Sequence, residues 1–294
     1  MLLVLAIGGA YGFYWRYVAG RLAAGLSAWT EAERLAGRDI AYSFAGVTGF
    51  PFAFRGEFRD VRLGLTLDPA FGVVSTAMLR VELNPWRLDH VAFSAPALVT
   101  LRLPQGDFTA AGMSGAVDLP PKIPIDHTHL QLGFALDFSS VGLPPGRVAL
   151  TEGPIEALGL TAKIMGPLVL QPDIATGLDA WRKAGGTMEI ERFLFAQAPL
   201  RLEGSGTLAL DAGLQPVGAA SIRAEGLGRS LDLLAAEGRL EAGPANAASL
   251  AVKALERPQD GPQEAPVAQF GLSLQDGSWW LGPLRLAPAP IFVW

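Results

Sequence analysis

The 294-residue chain contains no cysteine, which excludes a disulfide framework, thiol catalysis and thiolate metal sites. That absence also suits an oxidising compartment such as the periplasm. Histidine is scarce, with three residues, and no run of Lys or Arg breaks a net charge of −5. Nucleic-acid binding needs a concentrated positive field against the phosphates, so that class is excluded. Charged residues make up only 17% of the chain, against about a quarter in an average soluble domain, while 50% are hydrophobic. An ordinary core does not absorb that surplus. A hydrophobic N-terminal helix and an apolar groove are the two explanations the sequence offers.

Residues Met1 to Trp15 carry no charged side chain, and Arg16 is the first. Fifteen helical residues reach about 22 Å, short of the ~30 Å hydrocarbon core, and extension to Ala19 with Arg16 snorkelling closes the gap. Tyr11, Phe13, Tyr14, Trp15 and Tyr17 cluster as an interfacial aromatic belt would. The segment 1–19 therefore reads as an uncleaved anchor, with Leu3, Leu5, Ile7, Phe13 and Trp15 facing the bilayer. A cleaved signal peptide and a core helix are the alternatives. The basic residues follow the apolar run, opposite to the charge order of an N-inside anchor. Residues 20–38 read as an amphipathic helix, with Leu22, Leu26, Trp29 and Ala32 on one stripe and Gly37 as its cap.

From Asp39 the period falls to 2, and residues 39–294 read as a β-rich periplasmic domain. Leu63 and Leu65 share the parity of Val61, whereas Phe54 and Phe58 occupy the opposite one. A face shift near Asp60 predicts a bulge. Leu130, Leu132 and Phe134 alternate with polar or small residues, as do Leu200, Leu202, Leu208 and Leu210. Such strands are half-buried and antiparallel, and their sheet must hide its apolar face on a second sheet, in a barrel or around a guest. Residues 173–184, 229–240 and 246–255 read as short helices. The first has an N-cap at Asp173 and a lid stripe of Ile174, Leu178 and Trp181. Residues 258–266 read as a Pro-rich linker, and 267–286 as a terminal hairpin turning at Asp276-Gly277.

Chemistry-bearing motifs are few. His127 and His129 would share one strand face, but a third zinc ligand is not in reach, so surface histidines are the better reading. Glu189 and Glu191 read as solvent-facing neighbours rather than an acid–base pair. Gly204-Ser205-Gly206 lies within a strand, without the following helix of a phosphate loop. No Gly-x-Ser-x-Gly elbow, Walker loop or His-Glu-x-x-His occurs. No catalytic residue, metal site or cofactor is expected. Trp279 and Trp280 point to opposite faces, and Ile291 to Trp294 end the chain on an apolar note.

Three segments in this order resemble the domain of unknown function 2125 family of alphaproteobacterial envelope proteins. They are Tyr14-Trp15 with the helix that follows, Gly49-Phe50-Pro51-Phe52, and the run from Trp181 through Gly185-Gly186-Thr187 into Leu200 to Asp211. The resemblance implies an anchored β-rich periplasmic body and supplies no catalytic residue. The strand ending at Asp211 is also similar, at the level of fold, to AsmA-like proteins, which implies a curved sheet associated with lipid movement.

The expected fold is mainly β: long curved antiparallel sheets with an apolar face, an N-terminal membrane helix and a few lid helices. The expected protein is not an enzyme. It sits in the inner membrane with its bulk periplasmic, and holds or passes lipid or another apolar envelope molecule along Leu130, Leu132, Phe134, Leu200, Leu202, Leu208 and Leu210. The alternative is a structural or assembly protein that docks envelope partners and takes no ligand.

Overall fold

The computed structural model describes residues 1–65, 72–120, 122, 124–144, 154–169, 174–236, 256–257 and 267–292, without the side chains of residues 2, 4, 5, 256 and 257. The expected helix at 246–255, the linker at 258–266, Asp173 and residues 293–294 lie outside these, as do 66–68 and 237–240. The chain divides into two compact units, Met1–Val117 with Phe138–Arg147, and Asp118–Asp137 with Val148–Trp294.

The first unit begins with α1 (Leu2–Leu35), one uninterrupted helix across both N-terminal segments. It stops where Gly37 adopts φ +89 and Gly37 N–H donates to the Arg34 carbonyl at 3.0 Å, with Arg38 N–H reaching Glu33 at 3.0 Å. This is the Schellman closure for which glycine is preferred. Then come β1 (Ile40–Thr48), β2 (Phe54–Gly64), β3 (Val73–Asn84), β4 (Arg87–Ala95), β5 (Val99–Leu103) and β6 (Gly106–Asp118). The order is β1-β2-β3-β4-β6, with β5 paired to β3 and β6. Asp60 takes φ +52, and the β1–β2 register slips beside it, between Ala41 and Ser43. The sequence's face shift is this bulge.

One side of α1 is a packing seam. Trp15 is 8% exposed and stacks on Phe54 at 5.2 Å, while its indole N–H donates to the Ala53 carbonyl at 3.2 Å. Tyr11 donates to the Pro51 carbonyl and stacks on Trp86 at 5.1 Å, and Tyr14 donates to the Pro85 carbonyl at 3.1 Å. Leu22 and Val18 pack on the same cluster. Thr30, buried one turn beyond Leu26, meets the Tyr42 hydroxyl at 2.6 Å. The turn at Gly49-Phe50-Pro51-Phe52 supplies the Pro51 acceptor and leads directly into Ala53. Gly49 holds φ +99, and a Cβ there would lie 2.7 Å from the Ala53 carbonyl oxygen.

The anchor expected at 1–19 is thereby corrected. Among the described residues no helix is long and apolar enough to cross a membrane. The inner-membrane partner and inner-membrane location fall with it. Trp15 is core, Leu3, Ile7 and Phe13 are exposed, and the Leu5 side chain lies outside the described residues. Aromatic residues that suit a bilayer interface also suit a seam with backbone acceptors, because each needs an apolar body and a polar partner.

The second unit opens with the start of β7 (Leu130–Gly142), which passes into the first unit after Asp137. It continues with β8 (Ile155–Met165), α2 (Ile174–Lys183), β9 (Thr187–Gln197), β10 (Leu200–Leu210), β11 (Pro216–Glu225) and α3 (Leu227–Ala236). It ends with β12 (Glu256–Arg257), β13 (Val267–Gln275), β14 (Ser278–Leu281) and β15 (Leu284–Pro288). The order β8-β9-β10-β11-β13-β14-β15 is antiparallel throughout, and β12 pairs with β13. The expected terminal hairpin is three strands, because Gly282 at φ +57 breaks the run from 278 to 286.

Candidate functional site

The second unit carries an apolar cleft of about 380 Å³. Its floor follows from strand register. Ile164 on β8 lies opposite Met188 on β9, Met188 opposite Leu208 on β10, and Leu208 opposite Gly218 on β11. Gly218 pairs with Leu274 on β13, which pairs with Trp279 on β14. Residues opposite one another project to the same face, so period-2 patterning in six strands produces one apolar row. At strand spacing, six strands span roughly 24 Å. Gly218 leaves the row without a side chain, and Leu208 leans into that space, its Cδ2 2.8 Å from where a Cβ would stand.

Helix α2 forms one wall through Leu178 and Trp181. Trp181 is 6% exposed and its indole N–H donates to the Met165 carbonyl at 2.8 Å. The helix ends in a second Schellman closure: Gly185 N–H donates to Arg182 at 3.0 Å, and Gly186 N–H to Trp181 at 2.9 Å. A Cβ on Gly186 would stand 2.2 Å from the indole nitrogen, so the ring packs flush against bare backbone. The Gly-Gly of the sequence is thus both helix stop and indole seat. Ala289, Pro290 and Phe292 form the opposite wall. Among the described residues every side chain of the lining is apolar, with no acid, base or nucleophile.

Of the liners expected from sequence, Leu208 and Leu210 reach the cleft. Leu200 is buried at the other end of β10, and Leu202 is half-buried. Between them the face is filled from within: a Cβ on Gly204 would lie 2.5 Å from the Phe193 ring, its neighbour on β9. Leu130, Leu132 and Phe134 are half-buried on β7 and do not line the cleft. The lipid-passing groove along β7 and β10 is corrected on these grounds together with the loss of the anchor. Sequence reasoning missed the far wall. Its signal lies in Gln215, whose side chain grips Phe292 across 77 positions of chain.

His127 and His129 belong to a turn, not to a strand face. Asp126 Oδ1 accepts from Thr128 N–H at 2.9 Å and Thr128 Oγ1 at 2.6 Å, and meets His129 Nδ1 at 2.7 Å. The Thr128 hydroxyl foremost, then His129 and the Thr128 amide, hold the Asp126 carboxyl well below the usual carboxylate range. His127 lies instead against Gly185 at the C-terminal end of α2. Among the described residues no group of three or more His, Cys, Asp or Glu is placed to hold a metal ion. Glu191 pairs with Lys163 across the β8–β9 ladder. A larger hollow in the first unit, about 550 Å³, is charged, and its cations are taken up by Arg55–Glu82 at 2.7 Å and Arg80–Glu57 at 3.9 Å.

Fold and site define a β-sheet protein that presents an apolar cleft. Sequence comparison places it more narrowly. The family described as "Uncharacterized protein conserved in bacteria (DUF2125)" matches residues 15–131 and 107–290, and the chain belongs to that family. No curated protein and no solved structure gives a match.

Proposed function

We propose that the chain is a structural docking protein, without enzymatic activity, that receives an apolar segment of a protein partner in the cleft of its second unit. The observation that carries this reading is the lining itself, apolar from Ile164 to Phe292 and laid out as a row across strands. Apolar surface left open costs about 25 cal/mol for each Å² that a partner would otherwise cover. Contiguous open apolar surface is the usual mark of an interaction site. A row along one sheet face suits a stretch of polypeptide, and the described lining residues, none of them titratable, favour docking over chemistry there.

The test is co-purification with tagged full-length chain bearing Met188→Glu or Trp279→Ala, against wild type and Trp280→Ala. Trp280 is half-buried, donates to the Gln275 carbonyl at 3.3 Å and does not line the cleft. Variants with unchanged circular dichroism are compared. Loss of a stoichiometric partner from the two cleft variants, with retention by Trp280→Ala, is expected. An unchanged partner set in all three overturns the reading.

A further inference from the structure

We propose that the cleft is a receptor for an extended peptide bearing a proline and an aromatic residue, and that residues 289–292 are a resident version which a partner segment displaces. The inference rests on the docking reading and adds the occupant's chemistry and its regulation. Ala289 N–H donates to the Gly277 carbonyl at 2.8 Å, after which Pro290 offers no N–H. Phe292 N–H then donates to Gln215 Oε1 at 2.9 Å, and Gln215 Nε2 donates to the Phe292 carbonyl at 2.9 Å.

One side-chain amide thus makes the two reciprocal bonds that a neighbouring strand's backbone would make. Such a clamp reads main chain, not side-chain identity, so it accepts any extended residue. Gln215 is itself fixed: its N–H donates to Asp211 Oδ1 at 2.8 Å and its Nε2 to the Gly213 carbonyl at 3.2 Å. The receptor half is therefore set by the β10–β11 turn. The resident half fits less well. Ile291 is 82% exposed and Phe292 44% exposed, and about 380 Å³ stays open beside them. A bulkier segment fills that space while keeping the same backbone clamp.

The test is fluorescence anisotropy of a labelled synthetic peptide of residues 287–294, titrated with full-length chain. An intramolecular resident lowers the apparent affinity in proportion to its occupancy. Phe292→Asp in the chain removes the resident's apolar anchor and keeps Gln215 to clamp the incoming peptide, so this variant is expected to bind the peptide about tenfold tighter than wild type. Adding Leu208→Arg to the Phe292→Asp chain abolishes binding, and a peptide with Phe292→Asp does not bind. Equal affinity for wild type and the Phe292→Asp chain overturns the displacement inference and leaves the docking reading standing. No binding to either overturns both. Concentration-dependent dimers of the Phe292→Asp chain without peptide binding assign the cleft to a second copy and overturn the partner.

Discussion

Trp181 donates its indole N–H to the carbonyl of Met165 at 2.8 Å, tying α2 to the end of β8. In the first unit Trp15 makes the same bond to Ala53 at 3.2 Å. In both units a helix is pinned to its sheet by a buried tryptophan beside a glycine turn, and in the second that pin sets one wall of the cleft.

Trp181→Ala is expected to cost about 3–5 kcal/mol, the range for truncating a buried aromatic. Trp181→Phe keeps most of the ring contact and loses the hydrogen bond, for about 1–3 kcal/mol. Urea unfolding of the full chain measures both. A Trp181→Phe variant as stable as wild type contradicts a role for the Met165 bond.

If α1 is seated by a seam, its two sides respond differently. Trp15→Ala and Gly49→Ala loosen it, the second by about 1–3 kcal/mol through backbone strain at φ +99. Phe13→Ala and Tyr17→Ala, on the exposed side, change stability by no more than about 0.5 kcal/mol. Trypsin cleavage at Arg16 and Arg21 reports the seating. It accelerates in the first pair only. Equal protection in all four variants contradicts the seam.

Asp126 gives the turn at 126–129 a pH dependence of known sign. Its folded pKa is depressed, first by the Thr128 hydroxyl and then by His129. The stabilisation is therefore complete above the unfolded Asp value of about 3.9 and is lost as pH falls from there through the lower folded value. Asp126→Asn is less stable than wild type near neutrality, and the gap closes below about pH 4. A gap constant from neutral to acid pH contradicts the assignment.

The sheet was legible because alternation is a local signal: the parity change at Asp60, the strands from Leu130 and Leu200, and the Leu178–Trp181 stripe are each written in adjacent residues. The role of the Tyr11 to Tyr17 aromatics was not. Their carbonyl acceptors lie at Pro51, Ala53 and Pro85, and only tertiary structure decides between a bilayer and a turn of the same chain. The extent of the apolar face was hidden for a similar reason. Leu200 and Leu208 have identical parity, yet Phe193 of the next strand fills the face beside Gly204 and leaves it open at Leu208. The family motifs Gly49-Phe50-Pro51-Phe52 and Gly185-Gly186 were visible as patterns, and their purpose as helix seats emerged only from distances.

The central claim, that the cleft takes polypeptide, is tested most directly by a photo-cross-linking amino acid at position 208 of the full chain in living cells. Thr207, exposed and pointing to the other face of β10, is the control position. The account predicts an adduct from 208 and none from 207, with mass spectrometry mapping the linked site to an extended apolar stretch of a partner carrying an aromatic residue. It also predicts loss of that adduct when excess peptide of residues 287–294 is added to lysed cells before irradiation. No adduct at 208, or one whose added mass is that of a small molecule, contradicts it.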